Sequence, residues 1–163
     1  MNLLYVCTHN RCRSILCEAL TNALADPDYR AASAGSAPSG EVHAKSLEHL
    51  QARGIGVSTL NSKSWHDLGD FTPDVVITVC DSANGEACPL WLSDTLRIHW
   101  GLSDPSKCDG SEQQIDAAFN QCIAIIQHRL EAMRSAQLAK LPRQQWPAAF
   151  AALSADISNQ GSN

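Results

Sequence analysis

Four apolar residues, Leu3-Leu4-Tyr5-Val6, run without a break into Cys7-Thr8-His9-Asn10-Arg11-Cys12-Arg13-Ser14, and a helical pattern starts directly behind them. The apolar run has the length of a buried strand. Ile15, Leu16, Ala19, Leu20, Ala23 and Leu24 then recur at helical spacing until Asp26-Pro27 stops them. Strand, polar loop and helix in succession bring the loop amides and the positive end of a helix to one place, which favours an anion. Five residues separate Cys7 from Arg13. The loop amides, with a two-pronged contact from Arg13, are suited to hold the oxygens of a tetrahedral oxyanion, and the same field favours the nucleophilic thiolate of Cys7. Ser14 is placed to hydrogen-bond that thiolate. Asn10 is expected to serve the tight backbone of the loop, and His9 to shape the pocket.

The rest of the chain alternates strands with helices. Tyr29 to Ala34 reads as a second strand closed by Gly35, and Val42 to Arg53 as a weak helix with Gly54 just past its end. Asp74 to Val79 is the clearest strand, rich in β-branched residues, and it delivers Cys80. Asp81 to Pro89 is polar and contains Asn84-Gly85, which predicts a flexible loop between Cys80 and Cys88. Thr95 to Trp100 reads as a fourth strand, followed by a connection carrying Asp104-Pro105. Ser111 with Gln114 predicts a capping box for a long helix whose stripe is Ile115, Phe119, Cys122, Ile126, Leu130 and Met133. Pro142 and Pro147 interrupt the Ala-rich segment beyond, and Ser158 to Asn163 reads as a frayed tail.

This order predicts one α/β domain, a four-stranded parallel sheet with helices on both faces, over residues 1–136, with a helical extension and tail over 137–163. The carboxyl ends of parallel strands share one edge, where ligands bind, so Cys7, Cys80 and Asp104 are expected to meet there. A net charge of −5 argues against a nucleic-acid partner, and no apolar run is long enough to span a membrane. The N-terminus does not resemble a secretory signal, so the cytoplasm is the expected location. Seven cysteines are many for a compartment in which thiols stay reduced and disulfides are transient and catalytic. Cys17 and Cys122 read as core. Trp65, Trp91, Trp100 and Trp146 read as packing residues. Cys80 and Cys88, with seven residues between them, lack the close spacing of a zinc module, so no metal centre is expected there.

Taken together, the loop from Cys7 to Ser14 and the later Asp104-Pro105 resemble the low-molecular-weight tyrosine phosphatase family, over roughly residues 1–135 and with its flavodoxin-like topology. The resemblance implies that Cys7 is the nucleophile, that Arg13 and the loop Thr8, His9, Asn10, Arg11, Cys12 and Ser14 bind the oxyanion, and that Asp104 is the general acid. Val79-Cys80-Asp81 through Cys88-Pro89, and Trp100-Gly101-Leu102-Ser103-Asp104-Pro105, resemble the arsenate reductase subclass of that family. Asp104-Pro105-Ser106-Lys107 lacks the tyrosines that usually follow the acid in the phosphatases. The subclass implies a relay in which Cys80 and Cys88 follow Cys7, arsenate as substrate, no bound cofactor, and an external reductant, thioredoxin or glutathione with glutaredoxin. A monomer is expected. Cys12 and Cys108 are lesser relay candidates, and Asn10, Glu18 and Ser33 are weak candidates for a monovalent cation site. Two other functions stay open on the residues alone: a phosphotyrosine phosphatase, which needs neither Cys80 nor Cys88, and a thiol-based arsenic sensor, which does not need Asp104.

Overall fold

The computed structural model describes residues 1–85, 89, 92 and 94–160, the last seven of these through their backbone. Cys88 and Trp91 therefore lie outside the described residues. Four parallel strands form one sheet in the order β2-β1-β3-β4: β1 (Asn2–Val6), β2 (Arg30–Ala34), β3 (Val75–Thr78) and β4 (Leu96–His99). The register pairs Val6 with Ala34 on one side and with Thr78 on the other, and Thr78 with His99, so all four strands end level with one another.

Burial follows position in the sheet. Leu3, Leu4, Tyr5 and Val6 of β1 and Val75, Val76 and Ile77 of β3 are fully buried, because these central strands are covered on both faces. Each such aliphatic side chain removed from water stabilises the fold by about 1.5–3 kcal/mol. On the edge, β4 alternates half-buried and exposed, with Leu96 and Ile98 turned inward. It is shorter than the expected Thr95 to Trp100.

The helices are α1 (Arg13–Ala23), α2 (Ala44–Gln51), α3 (Asp81–Gly85), α4 (Glu112–Ser135) and α5 (Trp146–Gln160). The Ser111 hydroxyl accepts from the Gln114 N–H and the Gln114 side chain returns to the Ser111 N–H, completing the expected capping box of α4. Phe119, Cys122, Ile126, Leu130 and Met133 face the core, while Ile115 is only partly buried. Gly54 follows α2 at φ 73°, a left-handed conformation that suits glycine at a helix end.

Three expectations are corrected. Asp81 to Gly85 is helical, not loop: Asn84 N–H donates to the Cys80 carbonyl, Ala83 N–H donates to Cys80 Sγ, and Asp81 lies in the first turn, where an acid suits the helix dipole. The Asn84-Gly85 turn signal is overridden by these contacts. Pro147 opens α5 instead of interrupting it, since proline's missing N–H has no partner to lose in a first turn. The helix then continues to Gln160, past the expected fray at Ser158.

Candidate active site

The loop after β1 is fixed from outside. The carbonyls of Thr8, His9 and Arg11 accept from the N–H groups of Ala37, Ser39 and His43, and the His9 carbonyl also accepts from the Ser62 hydroxyl. The amides of His9 to Cys12 meet no protein acceptor among the described residues, so the donors are kept for the pocket while the acceptors are used on the outer wall. Asn10 stands at φ 44°. That conformation is tolerated by asparagine and here is held by four contacts: Asn10 Nδ2 donates to Ser14 Oγ (2.8 Å) and Ser33 Oγ (2.9 Å), and Lys63 N–H donates to Asn10 Oδ1 (2.8 Å). The fourth is Gly35, where an added Cβ would lie 2.6 Å from the Thr8 carbonyl oxygen and 3.1 Å from Asn10 Cβ.

Cys7 is 4% exposed, and its Sγ lies 3.0 Å from Ser14 Oγ. Asn10 donates to the same serine oxygen, which directs the Ser14 hydroxyl proton toward the sulfur. Arg13 Nη1 donates to the Leu102 carbonyl (2.9 Å) and Nη2 to Asp104 Oδ2 (2.8 Å). The other Asp104 oxygen accepts from the Ser106 N–H (3.1 Å) and hydroxyl (2.7 Å). Guanidinium and acid thus hold one another over the loop, with 15% and 18% of their side chains exposed.

A cavity of about 230 Å³ opens here, lined by Cys7, Thr8, His9, Arg11, Cys12, Arg13, Cys80, Ser82, Asp104, Ser106 and Lys107. Residues from three strand ends therefore meet at one site, as the parallel topology requires. Cys80 Sγ is 3.7 Å from the hydroxyl of Thr8, the residue next to Cys7. Asn10 and Ser14 are fully buried behind the loop and line no part of the cavity. His9 Nδ1 meets the Ala37 carbonyl at 3.1 Å, in keeping with a residue that shapes the rim.

The other described thiols are Cys12, Cys17, Cys108 and Cys122. Burial pushes the Cys12 thiol up to about 12 and the Cys122 thiol up to about 11, and it raises Cys17 as well. These three stay protonated near neutral pH and are weak nucleophiles. Cys108 does not reach the cavity; its Sγ donates to the Gln114 carbonyl at 3.8 Å. Trp65, Trp100 and Trp146 are buried, as packing residues should be.

Asn10, Glu18 and Ser33 are brought together as a chain. Ser33 Oγ donates to Glu18 Oε2 at 2.5 Å, and the Lys63 ammonium lies 3.7 Å from the same oxygen. Among the described residues no group of acidic, histidine and cysteine side chains is arranged to hold a metal. Lys63, Gly35, Leu102 and Ser106 are contributors that residue-type reasoning missed, because three of them act through backbone and Ser106 through a local turn; Asp-Pro-Ser was the one available signal for the last.

Residues 2–145 match the family model for low molecular weight phosphotyrosine protein phosphatases. The chain belongs to that family. Among its relatives is an arsenate reductase of Bacillus licheniformis, 30% identical over 72% of this chain and 83% of the relative. The structure of an arsenate reductase from Archaeoglobus fulgidus superposes with a TM-score of 0.66 at 25% identity, covering 80% of this chain and 97% of that one. A thioredoxin-dependent arsenate reductase of Corynebacterium glutamicum gives 0.62 at 28% identity, covering 85% and 63%.

Proposed function

We propose that this protein is an arsenate reductase in which Cys7, Cys80 and Cys88 pass two electrons to arsenate. The observation that carries the reading is the second sulfur: Cys80 shares the cavity with Cys7 and is packed against Thr8, and a phosphate-ester hydrolase has no chemical use for a thiol there. The relatives at about 30% identity that are arsenate reductases support it.

The loop amides and Arg13 hold the arsenate oxygens, and Arg13 exchanges its contact with Asp104 for the anion. The Cys7 thiolate attacks arsenic while Asp104 delivers a proton to the departing oxygen, which leaves as water. The Ser14 hydroxyl, oriented by Asn10, stabilises the thiolate beforehand. The Cys80 thiolate then attacks Cys7 Sγ; the S–As bond breaks with its electron pair on arsenic, giving arsenite and a Cys7–Cys80 disulfide. Cys88 attacks Cys80 and releases Cys7 as thiolate. An external dithiol, thioredoxin or glutathione with glutaredoxin, reduces the Cys80–Cys88 disulfide, and no cofactor is bound. One chain supplies all three sulfurs, so the reading requires only a monomer. It places the enzyme in the cytoplasm, where those thiol systems are kept reduced. No helix among the described residues is long and apolar enough to cross a membrane.

The test is arsenate-dependent oxidation of a reduced thiol system by wild type, Cys7→Ser, Cys80→Ser, Cys88→Ser and Asp104→Ala, beside hydrolysis of an aryl phosphate. Loss of arsenate turnover in every cysteine variant supports the relay. Turnover at the wild-type rate in Cys80→Ser or Cys88→Ser under each donor rejects it, and efficient aryl phosphate hydrolysis without arsenate reduction makes the protein a phosphatase.

A further inference from the structure

Asp104 sits at the end of a connection that begins at Trp100, and a second arginine grips the start of that connection. Arg129, on α4, places its guanidinium over the Trp100 ring, 5.4 Å from the centroid, and its Nη1–H donates to the Trp100 carbonyl at 2.6 Å. No carboxylate pairs with it among the described residues, and its Nε is buried without a partner. A half-buried cation held by a ring and a carbonyl is normally an expensive arrangement, because its desolvation is not offset by an opposite charge. Burial accordingly lowers the pKa of Arg129 from its usual value. The Trp100 ring is itself buried and packs on Tyr5 of β1, with centroids 5.8 Å apart, so Arg129 is anchored to a residue packed on a central strand.

The two arginines divide a task. Arg13 holds the far end of the connection, at Leu102 and Asp104, but it is also the residue that an oxyanion must recruit. Once the anion takes the guanidinium, those contacts are given up at the moment when Asp104 has to be in place. The near end then rests on the Trp100 N–H to the Thr78 carbonyl, the Leu102 N–H to the Val79 carbonyl, and Arg129. We propose that Arg129 is a positioning residue for the general acid: held between the Trp100 ring and carbonyl, it fixes the 100–104 connection so that Asp104 stays over the pocket while Arg13 turns to the substrate. The proposal rests on the reading of Asp104 as the acid.

The experiment is a cycle of Arg129→Met, Asp104→Asn and the double variant, read as single-turnover arsenite release from the reduced enzyme, with the inhibition constant of inorganic phosphate measured alongside. Misplacing a catalytic group by about an ångström is expected to slow R129M about ten-fold or more, while phosphate binding stays within about two-fold, because the loop and Arg13 are untouched. D104N is expected to lose about a hundred-fold. The double variant should be no slower than D104N, since an arginine that acts through the acid has nothing left to position. R129K, which keeps a cation over the ring, should recover most of the rate. If R129M does not fold, Arg129→Gln takes its place in the same cycle.

A wild-type rate in the Arg129 variant, or a double variant slowed by the product of the single losses, overturns the proposal. So does phosphate binding that weakens in step with the rate, which would make Arg129 a general support of the pocket. A wild-type rate in D104N instead removes the acid reading, and the positioning role falls with it.

Discussion

Two strand ends side by side in the sheet carry a cysteine, and they are built differently. After β1, the loop holding Cys7 is tied from several sides: three carbonyls bonded to the 37–43 segment, Asn10 locked at φ 44°, and Gly35 pressed against Thr8. After β3, Cys80 leads into a helix of five residues. Its described anchors are long or exposed: the Ala83 N–H to its sulfur at 3.4 Å, the sulfur to the Thr8 hydroxyl at 3.7 Å, the Thr78 hydroxyl to Asn84 Oδ1 at 3.5 Å, and the exposed Asp81 with His99 at 3.1 Å. The difference matches the two tasks. Holding a tetrahedral anion calls for dipoles fixed in advance, whereas a sulfur that in the proposed relay reaches first Cys7 and then Cys88 calls for a segment that is released at little expense.

Removing the fixed side should do most harm. Cys7→Ser is expected to abolish arsenate reduction and aryl phosphate hydrolysis alike, each by at least about a thousand-fold, in steady-state assays of both reactions. Cys80→Ser sharpens the contrast: multiple turnover of arsenate should be lost to a similar extent, while phosphate still binds and Cys7 can still be alkylated. Equal damage to phosphate binding would show that the two strand ends form one rigid unit. Gly35→Ala attacks the loop from behind. Its Cβ would meet the Thr8 carbonyl at 2.6 Å, and forcing the loop outward should lower stability by about 1–3 kcal/mol in urea unfolding and weaken phosphate binding.

The smallest effect concerns His43, whose N–H holds the Arg11 carbonyl. Burial, with Arg11 nearby, lowers its pKa below the ordinary 6.5. The unfolded chain therefore takes up that proton first, so the contribution of His43 is present above about pH 6.5 and is lost as pH falls through the lower folded value. Stability measured from pH 7.5 to 5 should decline less steeply in His43→Gln than in wild type.

Much of this is legible in the amino-acid sequence. Leu3 to Val6 and Asp74 to Val79 announced central strands because they are buried on both faces, and the spacing from Cys7 to Arg13 announced an anion loop because it falls between a strand and a helix. The capping box at Ser111 was legible because its chemistry is local. The helix at Asp81 was not, because Asn84-Gly85 is a turn signal in isolation and only the position of Cys80 overrides it. Gly35, Lys63 and Arg129 were not legible either, since each acts on a residue far away in the chain, through a carbonyl, a side-chain amide or a ring that sequence does not bring near.

The central claim is that the second strand end turns an anion-binding loop into a two-electron reductant. It is tested most directly by mixing fully reduced protein with arsenate in the absence of any other thiol and measuring arsenite and the disulfide formed. The account predicts one arsenite per chain, two thiols lost, and a Cys80–Cys88 peptide in the digest, with Cys80→Ser releasing none. Hydrolysis of an aryl phosphate with all thiols intact and no arsenite formed would contradict it.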